Sequence, residues 1–167
     1  MTVAKVATPY GTWASPITAG MIADTTISLS SVLVDGSDIY WLEGRPSEGG
    51  RVVLMRRTDT GPVDVLPTGY SARSRVHEYG GGAAIVSGGV AFFVNFEDQR
   101  IYRLEDGGVP EAISPDTGDR HADMFHDVAR NRLVCVRERH VDDAMVNELI
   151  AVDLDSGGCT ALVEGHD

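Results

Sequence analysis

Three times along this chain the same elements follow in the same order: a short apolar run, a tight turn, a second apolar run, a polar loop, a third run and an Asp/Gly-rich turn. The first unit reads Ser31–Val34, a turn at Asp35-Gly36, Ile39–Leu42, a loop through Gly49-Gly50, then Val52–Met55. The second reads Ala83–Val86, Gly88-Gly89, Val90–Val94, Glu97-Asp98, then Ile101–Leu104. The third reads Met124–Val128, Arg130-Asn131, Leu133–Val136, a longer loop, then Leu149–Val152. Each unit reaches a closing turn (Asp59-Thr60-Gly61, Asp106-Gly107-Gly108, Asp155-Ser156-Gly157-Gly158) and a weaker fourth run at Val63–Leu66, Glu111–Ile113 and Thr160–Val163. The spacing is 46 residues from Gly61 to Gly107 and 50 from Gly107 to Gly157. Four short strands repeating at this period are the signature of a β-propeller blade. Val, Ile, Phe and Tyr between Gly/Asp turns favour strand over helix.

The expected fold class is therefore all-β: a partial propeller of about three four-stranded antiparallel blades. An N-terminal extension occupies 1–26, blade one 27–68, blade two 69–116 and blade three 117–167. A β-sandwich is the competing architecture, but nothing in a sandwich requires a return to the same turn chemistry. The runs lack strict alternation, which predicts sheets covered on both faces. A blade buries its faces only against its neighbours, and three blades do not close a ring. The first and last blades should thus expose apolar faces, to be covered by the remainder of the polypeptide or by another chain. Self-association into a homo-oligomer is one way to cover them.

Charge and composition narrow the partners. With 25 acidic against 14 basic residues the net charge is -11, which repels a phosphate backbone, so no nucleic acid is expected. No run approaches 18 apolar residues, so no membrane span is expected. Lys5 is the only basic residue at the N-terminus and no apolar stretch follows it, so no secretory signal is expected. Two cysteines, Cys135 and Cys159, make no disulfide framework, which favours a reducing, cytoplasmic setting. Cys135 sits in a strand-like apolar run and reads as a small buried hydrophobe.

An ordered set of motifs carries a family resemblance. It runs through Trp13–Ala19, Ile39–Pro46 with Gly49-Gly50-Arg51, Arg75-Val76-His77-Glu78-Tyr79-Gly80-Gly81-Gly82, Asn95–Arg103, Arg120–Asp123, Cys135–Glu138 and Val146–Leu149. In this order they resemble the N-terminal propeller of the prolyl oligopeptidase family of serine peptidases, with the acylaminoacyl-peptidase and dipeptidyl-aminopeptidase-like members as close relatives. The resemblance implies a propeller that restricts access to a C-terminal α/β-hydrolase domain carrying a Ser-Asp-His triad, with peptides as substrate. The sequence ends at Asp167, inside the expected propeller. The expected partners are therefore the rest of the propeller and the hydrolase domain.

The chain itself offers no matching chemistry. A hydrolase nucleophile needs G-x-S-x-G. The nearest stretch, Gly69-Tyr70-Ser71-Ala72-Arg73, lacks the last glycine and a preceding apolar strand, so no catalytic residue is assigned. No cofactor or metal is expected. His121, Asp123, His126 and Asp127 are close in sequence, but His121 and His126 are five apart and should point to opposite faces of a strand. Gly80-Gly81-Gly82 lacks the phosphate-loop pattern and reads as a place of close backbone approach. The candidate substrate- or domain-contacting residues are Arg75, His77, Glu78 and Tyr79, which the resemblance places just before the innermost strand of blade two. Glu78 suits an amine or an arginine, and Arg75 a carboxylate. The plainer reading is an ion pair that fixes a loop. Two other functional classes stay open: a non-catalytic propeller scaffold, and a metal-dependent hydrolase using His121 and His126.

Overall fold

A computed structural model describes residues 7, 9–12, 15–18, 20–21, 26–142 and 144–165. Trp13, Ala14 and Ala19 of the first family motif lie outside the described residues. The chain forms three four-stranded antiparallel sheets, each a simple meander. Blade one is β1 (Ser28–Asp35), β2 (Asp38–Arg45), β3 (Arg51–Thr58) and β4 (Gly61–Asp64). Blade two is β5 (Ala84–Ser87), β6 (Val90–Val94), β7 (Ile101–Leu104) and β8 (Glu111–Ala112). Blade three is β9 (Arg120–Asp127), β10 (Arg132–Val141), β11 (Ala144–Asp153) and β12 (Cys159–Gly165). Strand β5 neighbours both β1 and β9, so the first strands of the blades lie side by side about a common axis.

Strand β6 shows why the apolar runs do not alternate with polar residues. Ala91 and Phe93 pack toward blade one with Tyr40, Leu42 and Leu54, whereas Phe92 and Val94 pack toward blade three with Leu133, Cys135 and Ile150. Successive side chains point to opposite faces, and both faces of this central sheet are covered. Burial in the second of these clusters pushes the Cys135 thiol up to about 12, as suits an inert packing residue.

The outer faces of the end blades are open. Leu29 and Val34 are 70% and 67% exposed on the side of blade one that faces away from blade two. Phe125 and Val163 are 67% and 57% exposed on the corresponding side of blade three.

Two inner strands carry a feature the sequence reading missed. Strand β1 has one extra residue between its pairings Ser30 to Leu42 and Leu33 to Tyr40, with Ser31 at φ 51°. Strand β9 has one between Phe125 to Val134 and Ala122 to Val136, with Asp123 at φ 55°. Such bulges shift the facing of everything beyond them by one position. The expectation that His121 and His126 face opposite ways is therefore corrected. His121 stands opposite Arg137 and His126 opposite Leu133, four positions apart on a regular strand, so both face blade two.

The three consecutive glycines lie where blade two meets β9. A Cβ on Gly81 would stand 2.8 Å from Ala122 Cβ, and one on Gly80 would stand 2.8 Å from the Ser74 carbonyl oxygen, with Gly80 at φ 81°. Gly80→Ala is expected to cost about 2 kcal/mol of unfolding free energy, from left-handed strain plus a backbone clash. Gly36→Ala, at φ 61° with open space around it, should cost only about 1 kcal/mol. Urea melts of the two variants would separate crowding from strain, and equal losses would remove the crowding argument.

Candidate functional site

In a meander the hairpin turns alternate between two rims. The β1–β2, β3–β4 and equivalent turns share one rim. The other carries the loops 46–50 and 95–100 and the connector 65–83 that leads from blade one into β5. Arg75, His77, Glu78 and Tyr79 all lie on this connector. It is pinned from below, because Leu66, Ala72, Ser74 and Val76 are buried. The Ser74 hydroxyl donates to the His121 carbonyl at 2.6 Å and accepts the Val76 N–H at 3.1 Å.

The tip of the connector is strained. His77 and Glu78 are successive non-glycine residues with φ 54° and 62°. That conformation costs roughly 1–2 kcal/mol per residue and persists only where neighbours enforce it. Here the neighbour is Glu138 of β10, whose side chain is wholly buried. Its carboxylate accepts the His77 N–H at 2.6 Å, Arg120 Nη1 at 3.0 Å and His140 Nε2 at 2.7 Å. Arg120 Nη1 also donates to Glu78 Oε1 at 2.6 Å and to the Arg75 carbonyl at 3.1 Å. Burial pushes the Glu138 carboxyl up, but the His77 amide, His140 and the Arg120 charge outweigh it and hold it below its ordinary value.

The four sequence candidates thus divide. His77 and Glu78 are brought together over Arg120 and Glu138. Tyr79 stands 98% exposed beyond them. The Arg75 guanidinium turns the other way and lies over Phe96, 4.2 Å from the ring centroid. Sequence reading did not single out Glu138, Arg120, Phe96 or Gln99. Glu138 carried a legible signal, a carboxylate between Arg137 and Arg139 in a strand that is otherwise apolar and basic.

The histidine cluster has other duties. His121 is 2% exposed and its Nδ1 lies 3.0 Å from the Gln99 carbonyl, so that nitrogen carries the proton and donates. His126 Nδ1 is 2.9 Å from the Ser87 hydroxyl and its ring sits 5.3 Å from Phe92. Among the described residues no group of three or more His, Cys, Asp or Glu stands close enough to hold a metal ion.

Burial holds the His121 imidazole below its ordinary 6.5, against the opposing pull of the Gln99 carbonyl and Asp119. The unfolded chain therefore takes up a proton near pH 6.5 that the native state refuses, so stability falls as pH drops from that point. Glu138 and Glu148, held below 4.5 in the native state, stabilise above that pH and lose their contribution as pH falls through their lower native values. The melting temperature should be level from pH 8 to 7, decline below about 6.5 and fall steeply below about 4.5. His121→Gln should remove the first decline; a profile level from pH 7 to 5 in the unaltered protein would contradict a buried neutral His121.

Solved structures give the context. A Mycobacterium tuberculosis puromycin-hydrolysing peptidase matches with a TM-score of 0.81 and 31% identity, over 98% of this chain and 28% of that one. A puromycin hydrolase matches at 0.77 and 30%, over 94% of this chain and 27% of that one. The chain resembles the prolyl oligopeptidase family. It is a β-sheet segment similar to the propeller region of these prolyl oligopeptidase-family enzymes and spans about a quarter of their length. A nidogen/laminin complex chain shares the fold alone, at 16% identity and a TM-score of 0.52. No family model matches the sequence, and no curated protein does. The rim described above holds much of what carries the prolyl oligopeptidase resemblance: Arg75–Gly82, Asn95–Arg100, and Arg120 with Glu138.

Proposed function

We propose that this chain is a propeller segment of a prolyl oligopeptidase-like serine peptidase, and that it gates the access of peptides to a hydrolase domain. The observation that carries the reading is the overlay of 98% of the chain on 28% of a peptidase at 31% identity. In this reading the connector rim faces the hydrolase domain, and Arg75, His77, Glu78 and Tyr79 contact that domain or the peptide. The strained tip supports a contacting role, since strain of this kind collects where a loop must present its residues in a fixed pose. Hydrolysis itself is acyl transfer through a serine of the hydrolase domain.

The test is the mass of the intact protein from its native source, with a fluorophosphonate serine probe added. A polypeptide much larger than 17.9 kDa that takes up the probe is the expected result. A native mass near 17.9 kDa with no labelling would overturn it and favour a non-catalytic scaffold, whose partner then covers the apolar faces of blades one and three.

A further inference from the structure

Among the described residues three arginines of the connector rim stand outside its ion pairs: Arg100 donates to the Ser114 carbonyl at 2.7 and 2.9 Å, whereas Arg73 and Arg75 share an aromatic ring. Arg73 and Arg75 place their guanidinium carbons 4.8 and 4.2 Å from the centroid of one ring, Phe96. Among the described residues neither has a carboxylate within ion-pair reach, whereas Arg45, Arg51, Arg120, Arg137 and Arg139 are all paired. The two charges lie within about 9 Å of each other and repel. In a chain with 25 acidic and 14 basic residues, such a pair without an acid calls for a reason.

The pair is held in place. The buried Gln99 accepts the Arg75 N–H through Oε1 at 2.7 Å and donates through Nε2 to the Phe96 carbonyl at 2.9 Å. The Arg73 N–H donates to the Val94 carbonyl at 3.0 Å. The backbones are thus fixed and the ring supports both guanidinium groups. A guanidinium stacked by its face keeps its in-plane N–H fork available, and that fork matches a carboxylate. Arg73 and Phe96 also line a cleft of about 240 Å³ with Tyr70 and Ser71. Sites for whole small molecules span about 300–1,000 Å³, so this one suits a chain end.

We infer that Arg73 and Arg75, stacked on Phe96, form a receptor for the C-terminal carboxylate of a peptide. The choice of a peptide rests on the peptidase reading; the preference for a carboxylate rests on the two guanidinium groups alone.

The experiment is calorimetric titration of the polypeptide, expressed at its native length, at low ionic strength. The probes are one tripeptide with N-methylated peptide bonds, which resists cleavage, as its free acid and as its amide. The free acid is expected to bind about tenfold more tightly. The double variant Arg73→Gln, Arg75→Gln should abolish that preference, and Arg57→Gln, exposed on the opposite rim, should leave it intact. Equal binding of acid and amide overturns the proposal, as does a preference that survives the double variant. A lowered melting temperature in the double variant with the preference unchanged assigns the two arginines to a carboxylate of the polypeptide itself and likewise overturns it. Loss of the preference in a protein that takes up no fluorophosphonate keeps the carboxylate site and removes only the peptidase reading.

Discussion

Replacing Phe93 with alanine is expected to lower the unfolding free energy by about 4 kcal/mol, the range measured for truncating a buried phenylalanine. Phe93 is fully buried where blade two meets blade one. It meets Tyr70 edge-on at 5.9 Å and stacks on Tyr102 at 5.5 Å. Tyr70 belongs to the connector, so one ring ties blade one, blade two and the base of the connector. Removing it forfeits the transfer energy of the ring and leaves a cavity that the surrounding strands fill only in part. Chemical denaturation of Phe93→Ala beside Phe92→Ala is the informative comparison, because Phe92 faces blade three. A Phe93→Ala loss under about 1.5 kcal/mol would mean that blades one and two do not share a core.

Glu138→Ala is the second large effect, about 3 kcal/mol, at the low end for removing one partner of a buried pair because His77 and His140 remain half exposed. The substitution strips Arg120 of one carboxylate and leaves the His77 N–H without its acceptor. The strained tip then keeps only the Arg120 bonds to Glu78 Oε1 and the Arg75 carbonyl, and His77 and Glu78 should relax toward ordinary backbone angles. Glu138→Gln keeps the size and an acceptor oxygen and should lose about half as much. Denaturation gives the energies, and amide exchange at His77 gives the mechanism. Protection at His77 that is unchanged in Glu138→Ala would show that something else fixes the loop.

Much of the architecture was legible because blades repeat. The turns at Asp35-Gly36, Gly88-Gly89 and Asp59–Gly61 were readable from residues that favour left-handed or tight backbone. The unpatterned apolar runs correctly indicated sheets covered on both faces, as Phe92 and Phe93 show. Other features were not legible, for physical reasons. A bulge adds one residue to one strand and leaves no compositional trace, so Ser31 and Asp123 gave no warning and the facing of His126 was misjudged. The stretch Gly69–Arg73 looked like plain loop, yet Ala72 is buried, as is Val76 further along the connector. The connector's partners, among them the His121 carbonyl that accepts from the Ser74 hydroxyl and the Phe96 N–H that donates to the Ser71 carbonyl, are remote in sequence. The candidate residues Arg75, His77, Glu78 and Tyr79 all lie on this connector. That Arg75 parts company with the other three is decided by Phe96 and Gln99, whose roles only the folded chain reveals.

The seams around blade two have a consequence for how this sequence can change. Asp35 of blade one accepts the N–H groups of Gly88 and Gly89; Asp123 and Glu138 of blade three accept those of Gly82 and His77. In each of these locks one side is a carboxylate and the other is main chain. Every residue except proline supplies that N–H, but Gly88 and Gly89 hold φ 61° and 79°, His77 holds φ 54°, and a Cβ on Gly82 would stand 2.8 Å from Asp123 Oδ1, so the central blade is restricted at its half of the lock by backbone shape rather than by side-chain chemistry. The flanking blades are restricted by chemistry instead, for the information that seats them against their neighbour is written in three acidic side chains. Divergence should therefore be limited differently on the two sides of each seam, by residue size and backbone conformation on the inside and by charge on the outside.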